Sequence, residues 1–332
     1  MAGTLTCDFC WRMCAIAPEQ RGVCGIREHK DGALRTVGYG SLVASGIDPI
    51  EKKPFYHVFP GSSTFSIALF GCNLACAFCQ NHHISQKESY LYREIGTQKY
   101  ITPDSIARKL QSSGSRILSY TYSEPIVWQD YMLDCATIVH NQGDVNCMIT
   151  NGSFSPSSLE RVLPYIDAFN IDVKGDDLFY RTYCHGRLQP VLDAVEKINA
   201  TSGKVLEVTT LIIEGIHDEH AMSILAGQLQ EAKVKVWHLS RFFPHWNMKD
   251  RSPTSEACLE RMLAIASKSS IPYIYGGNST NSRWQATVCP QCRQVLMPEH
   301  DYGGGAAQFA SATMNGKRCR QCGYEIYGLF EV

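Results

Sequence analysis

Residues 71–81 read GCNLACAFCQN, and they follow directly on the apolar run SIALF at 66–70. The stretch spaces three cysteines, Cys72, Cys76 and Cys79, as C-x3-C-x2-C. A short apolar run that ends at a glycine is typical of a buried strand. The pattern therefore predicts that the three thiols lie on the loop that leaves this strand.

Downstream of this loop, strand-like and helix-like segments alternate. Helices are expected to begin after Thr102 and Ser155, which are capping residues followed by proline, and others near 190–200, 217–231 and 254–267. Alternation of this kind predicts a parallel sheet flanked by helices. A full or partial (β/α) barrel of about six units and an open doubly wound sheet both fit, and either places its chemistry at the carboxyl ends of the strands. After the first strand, further strand-like runs occur at 116–121, 145–150, 167–172, 205–212, 234–239 and 272–275.

Composition narrows the class of protein. The 332 residues carry 31 basic and 32 acidic side chains, so the net charge of −1 gives no reason to expect a nucleic-acid partner. The amino-terminal residues lack the apolar core of a secretion signal, and no run is long enough for a membrane helix, which predicts a cytoplasmic protein without a membrane partner. Fifteen cysteines in a reducing compartment indicate metal sites rather than disulfides.

Eleven of the cysteines fall into three groups. The first group forms a cysteine-rich head, the second is the triplet on the first loop, and the third consists of two C-x2-C pairs that resemble a zinc ribbon or rubredoxin. We expect a head at 1–60, a core at 61–282 and a metal-binding module at 283–332, with a loop over 301–316 between the two pairs. The groups are Cys7, Cys10, Cys14 and Cys24; Cys72, Cys76 and Cys79; and Cys289, Cys292, Cys319 and Cys322.

The central triplet supplies one thiolate fewer than an iron–sulfur cluster usually takes. A 4Fe–4S cluster on three cysteines leaves one iron open, as catalytic metals require, and an amino-acid-like ligand could chelate it there. The alternative is a zinc ion bound by the three cysteines with His82 or His83.

This spacing, with an aromatic residue before the last cysteine, resembles the motif of the radical S-adenosylmethionine (SAM) superfamily. The resemblance implies that a reduced cluster cleaves SAM to methionine and a 5′-deoxyadenosyl radical, which abstracts hydrogen from a substrate. It also implies that Phe78 lies against the adenine, and that Ser123 and Glu124 bind the SAM ammonium group. The alternative for Glu124 is a solvated first-turn residue.

Polar residues at later strand ends are further candidates. Asn151 and Asp172 are placed to contact the SAM ribose or carboxylate, and Lys174 to hold an anion, although turn chemistry alone would also favour Asn-Gly and Lys-Gly. His238, Arg241 and His245 follow the sixth strand and are weaker candidates for the substrate pocket, because histidines among aromatic residues are commonly packed in the core.

Further segments make the resemblance more specific, and they include DPIEKKP at 48–54, YTYSEP at 120–125, DVKG at 172–175 and SRFFP at 240–244. Together with the head and the terminal cysteine pairs, they resemble the radical SAM component of the AmmeMemoRadiSam system, which is related to pyruvate formate-lyase activating enzymes. The resemblance implies a partial (β/α) barrel, a low-potential electron donor of the flavodoxin or ferredoxin type, and association with Memo-like and AMMECR-type proteins.

The metals of the two flanking groups stay open at this stage. Paired C-x2-C knuckles predict a closed four-sulfur site, with zinc favoured over iron. The head fits either a structural zinc or an auxiliary 4Fe–4S cluster.

Three functions are consistent with the sequence. The first is a radical SAM enzyme acting on an unidentified substrate, and a head and tail that cover the barrel mouth would favour a small or flexible one. The second is an activating enzyme that installs a glycyl radical on a partner protein. The third is a non-catalytic zinc-binding scaffold.

Overall fold

Eight strands form the central sheet, and each lies next to the strand that precedes it in the sequence. The computed structural model describes residues 3–298 and 310–330. The strands are β1 Ala44–Pro49, β2 Ser63–Ala68, β3 Ile117–Tyr120, β4 Val145–Thr150, β5 Ala168–Asp172, β6 Val205–Ile212, β7 Val236–Arg241 and β8 Tyr273–Gly277.

The sheet is parallel except at one edge. Strand β1 pairs antiparallel with β2, and all pairs from β2 to β8 are parallel. A doubly wound sheet reverses its strand order at a switch point. This sheet has no such reversal, so the doubly wound alternative was wrong.

All seven predicted strands are present, and β1 is the strand that the sequence did not predict. Its residues, ASGIDP, alternate between partly buried and exposed, and they include Gly46 and Pro49. Glycine and proline are depleted in central strands but tolerated at a sheet edge, which is where β1 lies. The strand comes from within the 60 residues that we assigned to the head.

In the described part of the chain, six helices of seven or more residues follow the strands. Thr102 and Ser155 accept the backbone N–H groups of Ser105 and Ser158, so both predicted caps are confirmed. The helices are α1 Pro103–Ser112, α2 Gln129–Asn141, α3 Pro156–Val162, α4 Gln189–Asn199, α5 Glu219–Glu231 and α6 Glu256–Ala266. Shorter turns are His82–Ser85, Asp177–Phe179, a π-helical turn at Tyr180–Cys184, and 3₁₀ turns at Ile50–Lys52, Tyr90–Glu94, Pro125–Trp128, Trp246–Met248 and Ser282–Trp284.

Short antiparallel hairpins flank the sheet at both ends of the chain. Two lie before β1 and two follow β8. Of the loop predicted over 301–316, residues 301–309 lie outside the described residues. The hairpins pair Leu5–Thr6 with Ala15–Ile16, Arg27–Lys30 with Ala33–Thr36, Thr287–Val288 with Val295–Met297, and Met314–Asn315 with Arg318–Cys319.

The amino ends of the strands are closed by packing. Phe55 and Phe59 pack against Ile117, Ala168 and Val205, which lie at the starts of β3, β5 and β6. The terminal cysteine group packs on the first residues of β7 and β8. A ligand can therefore approach the sheet from the side on which the carboxyl ends of the strands lie.

Among the described residues, no helix combines the length and apolarity needed to span a bilayer.

Candidate active site

The cysteine triplet lies on the loop that leaves the carboxyl end of β2, as predicted. Gly71 begins the loop at φ +116°, and a side chain there would meet Ile26 at 3.1 Å. The N–H groups of Ala75 and Ala77 donate to the carbonyls of Cys184 and Tyr183, at 3.0 and 2.8 Å. The loop is therefore held from both sides before any metal binds.

The sulfurs of the triplet are shielded from solvent, and polar side chains lie next to two of them. Asn151 Nδ2 lies 3.6 Å from Cys72 Sγ, and Ser85 Oγ lies 3.3 Å from Cys79 Sγ. Burial raises the pKa of Cys72 well above its usual value, and the Glu124 charge adds to that effect. Thiols in such surroundings need a cation to ionise, and a bound metal deprotonates its thiol ligands. The donor set thus fits an iron–sulfur cluster whose sulfurs accept hydrogen bonds.

Cys184 is a buried neighbour of the triplet that the sequence did not single out. Its side chain is buried in the core, and its thiol contacts Cys76 and, with burial, raises the pKa of Cys76 well above its usual value. It ends the π-helical turn, an irregularity that frequently occurs at functional sites. A lone cysteine gives no sequence signal for this position.

Glu124 is buried, so its interpretation as a solvated first-turn residue was wrong. Its Oε1 accepts the Thr150 hydroxyl at 2.6 Å and the N–H of Ile126 at 3.1 Å, and its Oε2 accepts the N–H of Asn151 at 2.8 Å. Burial raises the pKa of Glu124 to about 7, against the lowering effect of these bonds. The carboxylate links the ends of β3 and β4 beside the cysteine loop.

Ser123 and Phe78 make internal contacts. The Ser123 hydroxyl donates to the Leu69 carbonyl and accepts the Trp128 indole N–H at 3.1 Å. Phe78 is buried and packs on Phe179 at 5.6 Å between ring centroids. Phe78 is thus part of the cysteine loop, and Ser123 contacts the chain just before that loop, while their roles toward SAM stay predictions.

The remaining strand-end candidates also gather near the loop. Asn151 Nδ2 donates to Asn73 Oδ1 at 2.8 Å. Lys174 Nζ lies 2.9 Å from Asp172 Oδ2. Burial alone would lower the pKa of Lys174, but the charges of Asp172 and Cys76 raise it well above its usual value. A fixed cation thus stands at the mouth of the site.

Of the three weaker candidates, His238 and Arg241 lie on β7 and only His245 follows it, and the three do not form one pocket. His238 Nε2 lies 2.6 Å from Glu207 Oε2, and both side chains are buried. Glu207 also accepts the N–H groups of Tyr56 and His57 at 3.1 and 2.8 Å, which ties the 50–59 segment into the sheet.

The other two lie nearer the surface. Arg241 pairs with Glu256 at 2.6 Å at the start of α6. His245 directly precedes the Trp246–Met248 turn. The N–H of Asn247 in that turn donates to Ala77 of the cysteine loop at 2.9 Å, and Trp246 stacks on His82 at 4.3 Å.

The terminal cysteines form a compact cage. The Cys289 and Cys322 sulfurs are 3.6 Å apart, and those of Cys292 and Cys319 are 3.7 Å apart. Within residues 3–298 and 310–330, this is the only group of three or more cysteine, histidine or acidic side chains whose ligand atoms all lie within 4.8 Å of one another. His82 and His83 therefore do not complete a single-ion site with the triplet.

The cage and the head lie at opposite ends of the sheet. The cage packs beneath β7 and β8, so it does not cover the mouth, contrary to our expectation for the tail. The cysteine-containing part of the head lies at the mouth, where Cys10 forms an isolated antiparallel β-bridge with Phe154 and the N–H of Trp11 donates to the Ser153 carbonyl at 3.2 Å. The four head cysteines, Cys7, Cys10, Cys14 and Cys24, line one shared void.

Comparison with known proteins agrees with this site. The model of the radical SAM superfamily matches residues 67–226, which include the triplet and Glu124. The uncharacterized protein MJ0808 of Methanocaldococcus jannaschii is 35% identical over 325 residues, covering 96% of this chain and 94% of that protein.

Solved structures share the fold. Streptococcus suis SuiB bound to S-adenosylmethionine matches with a TM-score of 0.51 and 14% identity, over 67% of this chain and 51% of that one. SuiB bound to its precursor peptide SuiA matches with a TM-score of 0.50 and 14% identity, over 70% and 52%. The chain spans about half the length of those structures.

The superfamily implies SAM and a 4Fe–4S cluster, and the residues around the triplet fit both. A non-catalytic scaffold does not account for this domain, so that alternative was wrong. The chain belongs to the radical SAM superfamily and is an enzyme.

Proposed function

We propose that the chain binds a 4Fe–4S cluster through Cys72, Cys76 and Cys79, cleaves SAM reductively, and abstracts hydrogen from a substrate. When bound, the reduced cluster supplies one electron to the sulfonium, and the 5′-deoxyadenosyl radical and methionine result. The observation that best supports the proposal is a chain of hydrogen bonds. Asn151 donates to Glu124 and to the sulfur of Cys72, so that the thiols of the triplet and the polar side chains at the ends of β3 and β4 lie together.

The residues of the chain have separate roles in this proposal. The carboxylate of Glu124 and the hydroxyl of Ser123 attract the SAM ammonium group, since charge-assisted hydrogen bonds are the strong ones. Asn151 and Asp172 orient the ribose or carboxylate of SAM, and Lys174 holds an anionic group. Phe78 contributes the apolar wall on which the adenine rests.

The sequential sheet supports a partial (β/α) barrel as the enclosing architecture, because consecutive strands lie side by side in a barrel wall. The cage fits zinc: a tetrahedral ion with Zn–S bonds of about 2.3 Å separates its ligand sulfurs by about 3.8 Å. The observed separations of 3.6 and 3.7 Å are close to this value.

A low-potential flavodoxin or ferredoxin is the proposed electron donor. A surface pocket beside Cys72 is lined by Arg12, Lys87 and Arg181, among other residues, and this basic surface suits an acidic carrier. The resemblance of the whole chain supports membership of the AmmeMemoRadiSam system, a cytoplasmic location, and Memo-like and AMMECR-type partners.

The substrate can be a small molecule or a partner protein. The cage lies away from the mouth and does not cover it, and this observation favours keeping glycyl-radical installation on a partner as the second candidate.

The test is SAM cleavage by anaerobically reconstituted protein with dithionite. We expect 5′-deoxyadenosine from the wild type and none from Cys76→Ala. Cys258→Ala, which removes a buried thiol outside the three groups, is the matched control and should stay active. A wild type that holds iron but releases no 5′-deoxyadenosine contradicts the proposal.

A further inference from the structure

The four cysteines of the head converge although they are spread over 18 residues of sequence, 7–24. The N–H of Cys7 donates to the Cys14 carbonyl at 2.9 Å, which folds the first three cysteines into one hairpin. The rest of the lining combines the apolar residues Phe9, Ile16 and Val127 and Gly22 with two arginines, Arg12 and Arg27. Four thiols gathered around one void form the type of cage that holds a metal cofactor.

The spacing of these sulfurs differs from that of the terminal cage. One tetrahedral ion requires all ligand sulfurs about 3.8 Å apart. The terminal cage meets this requirement, with all four sulfurs within 4.8 Å of one another. Over residues 3–298 and 310–330, no other group does so, and the head is fully within that range. The head cage is therefore wider than a single-ion site.

The head shares this wider spacing with the central triplet. The triplet also falls outside the 4.8 Å limit, and its superfamily cofactor is a 4Fe–4S cluster. A cubane binds each cysteine to a different iron, so its ligand sulfurs stand farther apart than those on one ion. The chain thus contains one compact thiol group and two wide ones.

We propose that Cys7, Cys10, Cys14 and Cys24 bind a second 4Fe–4S cluster rather than zinc. Four cysteines ligate all four irons, so this cluster has no open iron and does not bind SAM. The inference rests on the proposed function only in assigning the first cluster to the triplet.

A single residue, Asn73, lies between the cysteines of the second cluster and those of the first. The Cys10 thiol contacts the side chain of Asn73, which directly follows Cys72. Arg12 Nε donates to the Asn73 carbonyl at 2.9 Å, and Asn73 Oδ1 accepts from Asn151. The two clusters are therefore close enough to exchange electrons and to interact magnetically.

Iron, sulfide and zinc analysis of three anaerobically reconstituted proteins tests the proposal. We expect about eight irons per chain in the wild type, and about four in the triple variant Cys72→Ala/Cys76→Ala/Cys79→Ala. The double variant Cys10→Ala/Cys24→Ala should also hold about four and still change its EPR spectrum when SAM is added. About one zinc should remain in all three proteins.

Magnetic interaction gives an independent readout. The EPR spectrum of the fully reduced wild type should show spin–spin broadening that the sum of the two variant spectra does not reproduce. A simple sum would overturn the adjacent placement of the clusters.

The triple variant keeps all four head cysteines. It therefore shows which metal the head binds even if the double variant of the head fails to fold. A colourless triple variant with about two zinc ions, beside a wild type with about four irons, overturns the second cluster and leaves SAM cleavage intact. A wild type without any iron contradicts both proposals.

Discussion

The carboxylate of Glu124 accepts the backbone N–H of Asn151 at 2.8 Å, and the side chain of Asn151 in turn reaches the sulfur of Cys72. Three segments of the site, the ends of β3 and β4 and the cysteine loop, are therefore coupled through two residues. We therefore expect substitutions of Glu124 to weaken SAM binding more than they lower the iron content of the cluster.

Glu124→Gln should weaken SAM binding by about tenfold or more while iron content stays near the wild-type value. Glutamine carries no charge, so the proposed charge-assisted hydrogen bond to the SAM ammonium, worth about 1.5–3 kcal/mol, is lost. Equilibrium titration with SAM and iron analysis measure the two effects. Glu160→Gln, at an exposed position in α3, is the control. A parallel loss of iron and SAM binding would mean that Glu124 supports the cluster loop instead.

SAM affinity should rise with pH between 6 and 8. Burial raises the pKa of Glu124 to about 7, so its carboxylate is largely neutral at pH 6 and largely ionised at pH 8. The SAM ammonium pairs with the ionised form, which gives an affinity increase of about tenfold over this range.

The linked effect on stability has the opposite sign. The folded state holds the Glu124 proton more tightly than the unfolded state, so this contribution to stability is present at low pH and is lost as pH rises through 7. Titrations and denaturation at each pH measure both trends, and Glu124→Gln should flatten them. An unchanged slope in that variant would assign the pH dependence to another group.

Cys184→Ala should keep the cluster and its response to SAM. Cys184 contacts Cys76, but the cluster proposed above is bound by Cys72, Cys76 and Cys79 without it. Iron and sulfide content, and the EPR change on adding SAM, provide the measurement. Loss of one iron together with a lost SAM response would identify Cys184 as a fourth ligand and contradict the open iron.

Cys322→Ser should release the cage metal and lower the melting temperature by roughly 5 °C or more, because the cage packs beneath β7 and β8. The iron content of the triplet should not change, since the triplet lies at the carboxyl ends of the strands and the cage at their amino ends. Metal analysis and thermal denaturation test this, with Lys317→Ala at an exposed position as a nearby control. A variant of unchanged stability would mean that the module is not a support for the sheet.

Glu207→Leu should lower the free energy of unfolding by about 3–5 kcal/mol, because it removes the partner of buried His238 and leaves two backbone N–H groups unpaired. Chemical denaturation measures the loss, and Glu231→Leu at the exposed end of α5 is the control. A loss below about 1 kcal/mol would show that the buried network contributes little.

The sequence predicted the features that depend on local pattern. Apolar runs located the seven parallel strands, and the spacing of Cys72, Cys76 and Cys79 located the site at the first strand end. Edge strand β1 was missed because its exposed, glycine-containing residues lack an apolar run.

Features that depend on distant parts of the chain could not be predicted in this way. The contact of Cys184 with Cys76 joins residues 108 positions apart in sequence. The carboxylate of Glu124 is held by Thr150 and Asn151, which lie at the end of the next strand and just after it. Neither is encoded by residue spacing within one segment.

The placement of the terminal cage has a consequence for biosynthesis. Cys319 and Cys322 are translated after all eight strands, yet the cage to which they belong packs on the amino ends of β7 and β8. A nascent chain on the ribosome can complete its cysteine triplet long before it can close the cage. Any metal that the four cysteines bind would therefore be captured only after the last two strands have been synthesised.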